Sequence, residues 1–182
     1  MAAAIATLTL TAIGAAGCFL DEAPPKPVSN WTIGEARAFD EFDLHWLGVR
    51  YQALRLTSMR VTTDGDGVTH ASFFYGKPVL AGDSGGSWFP PLGVNIQPYC
   101  GFNPEEARNA YGDDFRPLEI GEALGFLYED FGLFLWTGDS TIALHRWKSD
   151  VDLEQAARDL IPIAEQTGAT PQPLPPPPPT EC

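Results

Sequence analysis

Six segments of the chain carry apolar, β-branched and aromatic residues in short runs or alternating patterns, and clusters of Gly, Asp or Pro lie between several of them. This pattern is typical of strands with one buried face in an antiparallel sheet. The clearest case is Leu92, Val94 and Ile96, which alternate with small or polar residues. The pattern predicts strands over residues 53–63, 68–75, 92–97, 124–129, 133–137 and 140–147.

The first two of these segments predict a hairpin. They are separated by Asp64-Gly65-Asp66-Gly67, and Gly and Asp tolerate the positive φ that tight turns require. The same segment is similar to the start of a calcium-binding loop, but an EF-hand would need Glu at the position of Phe73. A turn is therefore the interpretation that the residues favour.

Two segments carry the start signals of helices. Asn103-Pro104-Glu105-Glu106 combines a capping side chain, a proline at the first helical position and acids in the first turn. A short helix is therefore predicted over 104–111. A second helix is predicted to start at Ser149 or Asp150, because Ser149 and Asp152 have the spacing of a capping box. Its apolar stripe consists of Leu153, Ala156, Ala157 and Leu160.

These elements together predict an α+β fold. It consists of a single, mainly antiparallel sheet of about six strands, with the C-terminal helix packed on one face and the short helix near 104–111. Proline-rich segments flank this domain and favour extended chain over packed structure. The predicted organisation is a signal peptide over 1–17, a lipidated cysteine and spacer over 18–29, one globular domain over 30–166 and a disordered tail over 167–182.

The N-terminal segment differs from the rest of the chain. Met1–Leu20 contains no charged side chain, and its apolar part is shorter than the ~20 residues that span a bilayer, as in an export signal. Small residues then lead to a cysteine in Ala15-Ala16-Gly17-Cys18. Over residues 1–18 the chain resembles the signal of bacterial lipoproteins. The resemblance implies cleavage before Cys18 and a diacylglycerol that anchors the exported protein to the cell membrane or envelope.

An ordinary cleaved signal and an uncleaved N-terminal anchor are the alternatives to a lipid anchor.

The charge of the chain argues against nucleic acid as a partner. The chain has 24 acidic and 11 basic residues and a net charge of −13, and such a surface repels nucleic acid.

The cysteines and His145 suggest no metal site. Neither Cys100 nor Cys182 has a His or Cys at ligand spacing, so no metal and no cofactor is predicted. The two cysteines are expected either to pair in an oxidising compartment or to stay as thiols. His145 is interpreted as a hydrogen-bonded structural histidine.

One motif points to catalysis. Gly82-Asp83-Ser84-Gly85-Gly86 resembles the segment around the nucleophile of chymotrypsin-like serine proteases, where backbone amides form an oxyanion hole. The rest of the chain departs from that family. Only His45 and His70 precede Ser84, and the chain before Ser84 is too short for a β-barrel. We interpret the match as a coincidence and predict no catalytic residue.

The loop over 76–91 is the candidate ligand-binding loop. It contains Ser84, Trp88 and Phe89 beside glycines and prolines, and exposed aromatic side chains there would stack on a sugar or hold a partner protein. The favoured hypothesis is a non-enzymatic, membrane-anchored envelope protein that binds a ligand or a partner. The alternatives are an extracytoplasmic hydrolase that uses Ser84 and a purely structural envelope lipoprotein.

Overall fold

Strands account for most of the regular structure in the computed structural model, which describes residues 29–80, 88–99, 115–129, 132–147, 149–165 and 170–178. The strands are β1 (Ser29–Asn30), β2 (His45–Trp46), β3 (Arg50–Tyr51), β4 (Leu54–Thr63), β5 (Thr69–Tyr75), β6 (Val79–Leu80), β7 (Trp88–Phe89), β8 (Leu92–Pro98), β9 (Phe115–Ile120), β10 (Ala123–Tyr128), β11 (Gly132–Thr137), β12 (Ser140–Arg146) and β13 (Ile161–Pro162). The helices within these ranges are α1 (Ile33–Arg37) and α2 (Leu153–Arg158). Neither of them is long and apolar enough to cross a membrane.

Nine strands form one large antiparallel sheet within the described ranges. Eight of them follow one another in the order β1-β4-β5-β8-β12-β11-β10-β9, and β3 also pairs with β4. Two short pairs, β2 with β13 and β6 with β7, lie apart from it. The prediction of a mostly antiparallel sheet with few helices is confirmed, whereas the number of about six strands was too low.

The six predicted strands correspond to β4, β5, β8, β10, β11 and β12. The sequence pattern missed β9, because Pro117 interrupts its apolar residues. Proline cannot donate to the ladder and is therefore confined to edge strands and bulges. In the described sheet β9 is an edge strand that pairs with β10 alone, with Pro117 opposite Phe126.

The core lies on one face of the large sheet. Phe73, Val94, Leu144 and Leu133 are in direct cross-strand register there and are fully buried. The β2–β13 pair covers the β5 end of this face, since the Trp46 and Phe73 rings lie 6.5 Å apart. Helix α2 covers β11 and β12 with its apolar stripe, whose members are at most 3% exposed.

Helix α2 begins later than the capping-box spacing predicted. Its N-cap is Asp152, whose carboxylate accepts a hydrogen bond from the Gln155 amide at 3.1 Å. The Ser149 hydroxyl instead donates to the Pro91 carbonyl oxygen at 3.0 Å and ties the preceding loop to β8. The predicted start at Ser149 or Asp150 was therefore wrong, because a nearer Asp supplies the cap. The short helix predicted at 104–111 lies outside the described residues.

Helix α1 was not predicted, although the sequence contains its start signal. Thr32 and Glu35 form a capping box: the Thr32 hydroxyl accepts from the Glu35 amide at 3.2 Å. In return, the Thr32 amide donates to the Glu35 carboxylate at 2.7 Å. The helix is short and only Ala36 on it is buried, so it lacks the apolar periodicity that reveals longer helices.

Part of the proline-rich C-terminal segment packs on the domain. The Leu174 side chain is only 4% exposed, and the Leu174 carbonyl oxygen accepts from the Glu122 amide at 3.0 Å. The next two carbonyl oxygens accept from the Thr137 hydroxyl at 2.7 Å and from the Gly138 amide at 3.2 Å. The sequence predicts a disordered tail from residue 167. In the structure this stretch instead supplies a buried apolar side chain and a row of backbone carbonyl acceptors. Proline keeps its carbonyl oxygen although it has no N–H donor.

The core also contains a buried histidine with a consequence for stability. His45 is 5% exposed, and burial lowers its pKa although nearby acids oppose the shift. In the unfolded chain His45 would take up a proton below about pH 6.5, which the folded state resists. We expect the free energy of unfolding to fall as the pH drops below that value. Urea unfolding of wild type and of His45→Gln tests this, because the variant should show a shallower loss; equal slopes would contradict it.

Candidate functional site

The second face of the large sheet, opposite the core, is less apolar and less covered. Arg60, Ser72, Asn95 and Ala143 form one cross-strand row on it. Each of the four is half-buried or exposed, whereas the residues that alternate with Ser72, Asn95 and Ala143 are buried in the core. Antiparallel sheets commonly keep one such face in contact with solvent, and this leaves it accessible to a ligand.

A cavity of about 530 Å³ lies on this second face. We call it the second-face cavity. Three aromatic rings and two prolines form its apolar wall, and six polar side chains complete the lining. Its lining is Thr57, Ser58, Arg60, Phe74, Pro78, Phe89, Pro90, Gly93, Asn95, His145, Arg146 and Trp147.

Strand register builds the floor of the second-face cavity. Phe74, Gly93 and His145 lie directly opposite one another on β5, β8 and β12. Because Gly93 has no side chain, a depression separates the two flanking rings. A Cβ at this position would lie 3.6 Å from Phe74 Cδ1, an ordinary contact. Close contacts with neighbouring atoms therefore do not require a glycine at this position. The absence of a side chain leaves open space above the strand.

Two aromatic rings form a wall of the same cavity. Phe89 in β7 and Trp147 after β12 have ring centroids 5.1 Å apart at an angle of 32°. Phe89 keeps 41% of its surface exposed. Such a pair provides a flat apolar surface for an aromatic or aliphatic group.

Two of the lining residues, Trp147 and His145, carry polar groups for which the described residues show no hydrogen bond. Trp147 Nε1 is buried without a hydrogen-bond partner. The His145 imidazole makes an edge-on contact with Phe134 at 5.6 Å, and burial lowers its pKa, so it is neutral at pH 7. A neutral imidazole offers one donor and one acceptor. No hydrogen-bond partner of His145 is found among these residues, so its interpretation as a hydrogen-bonded structural histidine stays a prediction.

Arg60 adds a positive charge at the margin of the cavity. Its guanidinium carbon lies 5.3 Å from the centroid of the Phe74 ring, which is within the range of a cation–π contact. The Arg60 Nε also lies 3.4 Å from the Ser58 hydroxyl oxygen. The second-face cavity thus combines an apolar wall with donors and two arginines, Arg60 and Arg146, and such a set suits an apolar ligand that carries an acceptor.

Of the residues predicted for the ligand-binding loop, Phe89 lines this cavity. Trp88 pairs with Leu80 between β7 and β6, and its side chain is not among those that the structure describes. Ser84 and the rest of its motif also lie outside the described residues. The same is true of Cys18, Cys100 and Cys182. Sequence reasoning missed the cavity residues that adjoin Phe89 in space, because they come from separate strands.

The remaining histidine, His70, lies in β5 and contacts the turn that precedes this strand. The Asp64 carboxylate accepts from the Asp66 amide at 3.0 Å, from the Val68 amide at 2.9 Å and from His70 Nε2 at 3.1 Å. The His70 contact comes first among the causes that lower the pKa of Asp64. These bonds close the β4–β5 hairpin and confirm the turn interpretation. The described residues contain no group of three metal-ligating side chains.

No protein-family model, no curated protein and no solved structure matches the chain. The geometry of the cavity and the residue chemistry must therefore support any functional assignment. Among the sites that the structure describes, the second-face cavity has the largest share of aromatic lining. It is the candidate functional site.

Proposed function

We propose that this chain is a non-enzymatic binding protein whose second-face cavity holds a small ligand with an apolar body and a hydrogen-bond acceptor. The observation that carries the proposal is the aromatic wall of Phe89 and Trp147 beside the Gly93 floor. Trp147 Nε1 is buried and has no hydrogen-bond partner within the described residues, and we propose it as the donor that a ligand acceptor reaches. An unsatisfied buried donor costs about 1–3 kcal/mol. A ligand acceptor that reaches this donor recovers part of that loss.

The size of the cavity supports a small molecule rather than a protein partner. Ligand pockets commonly enclose roughly 300–1,000 Å³, and this one encloses about 530 Å³. Pro78 and Pro90 line it beside the aromatic rings. Proline restricts the backbone, so the site has less conformational entropy to lose when a ligand binds.

The proposal predicts that the indole N–H contributes to affinity. We choose Nile red as a probe, because it is neutral, apolar and carries a carbonyl acceptor. Trp147→Phe keeps an aromatic ring but removes the donor, so affinity should fall about fivefold. Fluorescence titration of the wild type and the variant measures this change.

Trp46→Phe is the matched control for that experiment. Trp46 Nε1 is also buried without a partner, but Trp46 is fully buried in the core and does not line the cavity. The control should bind Nile red as the wild type does. An equal loss of binding in both variants would refute the proposal. Absence of saturable binding to the wild type would also refute it and would favour a purely structural protein.

We also propose that the protein is exported and anchored through a lipid on Cys18. The support is the segment Ala15-Ala16-Gly17-Cys18, which resembles the cleavage site in the signals of bacterial lipoproteins. In a bacterial expression host, Cys18→Ala should move the protein from the membrane fraction to the soluble fraction or leave it as an unprocessed precursor. The control variant Cys100→Ala should remain in the membrane fraction. Mass spectrometry of the membrane-extracted wild type should find diacylglycerol on an N-terminal Cys18. A terminus at Met1 or Ala2 would contradict the anchor.

A further inference from the structure

A second cavity lies beside β4, at the edge of the large sheet. We call it the edge cavity; its volume is about 630 Å³. It shares only Thr57 and Ser58 with the second-face cavity. The lining of the edge cavity is Trp31, Ile33, Val49, Arg50, Arg55, Leu56, Thr57, Ser58 and Met59.

Two arginines of the edge cavity face each other across a hairpin. Arg50 in β3 and Arg55 in β4 are direct cross-strand partners in the antiparallel register. Side chains of such partners lie on the same side of the sheet, and like charges in this position destabilise the pair. The hairpin therefore holds two positive charges close together in a chain whose net charge is −13.

Neither arginine is neutralised within the part of the chain that the structure describes. The ion pairs found there involve Asp64 and Glu154, and no carboxylate lies within ion-pair distance of Arg50 or Arg55. Both arginines are exposed to solvent. Their planar guanidinium groups are well suited to bind the oxygens of a phosphate or a carboxylate in bidentate fashion.

Apart from Thr57 and Ser58, the remaining wall of the edge cavity is apolar. Trp31 and Leu56 are half-buried, and Val49, next to Arg50, keeps 42% of its surface exposed. Glu35 lies close in sequence to the lining residues Trp31 and Ile33. Its carboxylate accepts hydrogen bonds from both the amide and the hydroxyl of Thr32. The carboxylate is thus engaged in the capping box of α1.

We propose that the edge cavity binds a phosphate or carboxylate group between Arg50 and Arg55, carried by a ligand whose apolar part lies against Trp31 and Leu56. The anion offsets the repulsion that the hairpin contains when empty. A soluble monoester and the headgroup of an acidic lipid share this chemistry. The site shares Thr57 and Ser58 with the second-face cavity, but its arginines are different ones and its ligand is of a different charge class.

The test uses isothermal calorimetry and thermal unfolding of the full chain with hexyl phosphate. The wild type should bind this probe saturably and unfold at a higher temperature in its presence. Arg50→Gln and Arg55→Gln should each weaken binding about tenfold or more, since each removes a charge-assisted contact. Without the probe, each variant should unfold at the same temperature as the wild type or at a higher one.

Arg116→Gln is the matched control, because Arg116 is exposed and forms an ion pair with Glu154 away from the edge cavity. It should bind hexyl phosphate as the wild type does. Absence of saturable binding to the wild type would overturn the proposal. Equal weakening by Arg116→Gln would also overturn it, because it would indicate a response to overall charge.

Two further probes distinguish the sources of the anion. Vesicles of phosphatidylcholine with phosphatidylglycerol should displace hexyl phosphate if a lipid headgroup is the ligand, and vesicles of phosphatidylcholine alone should not. If neither kind of vesicle competes while hexyl phosphate still binds, the ligand is a soluble ester. Nile red binding should be unchanged in Arg55→Gln, so failure of this proposal is distinguishable from failure of the second-face cavity.

Discussion

Gly93→Val is expected to weaken Nile red binding by about 10- to 100-fold without lowering the free energy of unfolding. Gly93 lies between Phe74 and His145 in the floor of the second-face cavity. A valine there places methyl groups in the space that the ligand would occupy, and steric overlap of this kind costs about 1–3 kcal/mol. Fluorescence titration and urea unfolding of the same samples measure both quantities.

The fold should tolerate Gly93→Val because the position is in the middle of β8. The nearest atom to an added Cβ is Phe74 Cδ1 at 3.6 Å, and β-branched residues are favoured over glycine in strands by up to about 1 kcal/mol. Gly93→Ala should have an intermediate effect on binding. Ser72→Val is the control, since Ser72 is on the same face but does not line the cavity. Unchanged binding in Gly93→Val would exclude the cavity floor as the ligand site.

Gly125→Ala is expected to have the largest effect on stability, a loss of about 3 kcal/mol. A Cβ at this position would overlap the Phe134 carbonyl oxygen and lie 2.8 Å from Leu135 Cδ2. Strand β10 cannot move aside, because it is paired with β9 on one side and β11 on the other. A loss of this size is a large fraction of the roughly 5–15 kcal/mol that stabilises a typical domain.

Gly34→Ala provides the control for Gly125→Ala. Gly34 lies in α1, and the nearest atom to an added Cβ is the Thr32 hydroxyl oxygen at 3.8 Å. Alanine is favoured over glycine in helices by roughly 1 kcal/mol, so this variant should be as stable as the wild type or more stable. Chemical denaturation of the two variants compares them directly. Equal stability of Gly125→Ala and wild type would show that β10 and β11 are packed less closely than described.

The sequence predicted the strands well where the burial of one face leaves an alternating pattern. Val94 and Ile96 are buried in the core, and Asn95 between them is on the second face. The pattern failed for β9, where Pro117 interrupts it. It also gave no sign that Leu174 is buried, because a proline-rich segment owes its packing to acceptors and one apolar contact rather than to periodicity.

The candidate site was only partly accessible from the sequence. Phe89 could be singled out because it is an aromatic residue beside prolines in a loop, and it does line the second-face cavity. Phe74, Gly93 and His145 could not, since cross-strand register brings them together and local spacing does not encode that register. Trp147 was predicted only as the last residue of a strand over 140–147. The burial of its Nε1 without a partner among the described residues is a property of the tertiary structure.

The most direct test of the central claim is the nitrogen–proton NMR spectrum of the protein during a titration with Nile red. The indole N–H signal of Trp147 can be assigned by comparison with Trp147→Phe. We expect this signal to move downfield and saturate with the dye, because the unpartnered donor gains an acceptor. The backbone amide of Gly93 should shift with the same affinity. Saturable binding that leaves the Trp147 indole and the Gly93 amide unmoved would contradict the account.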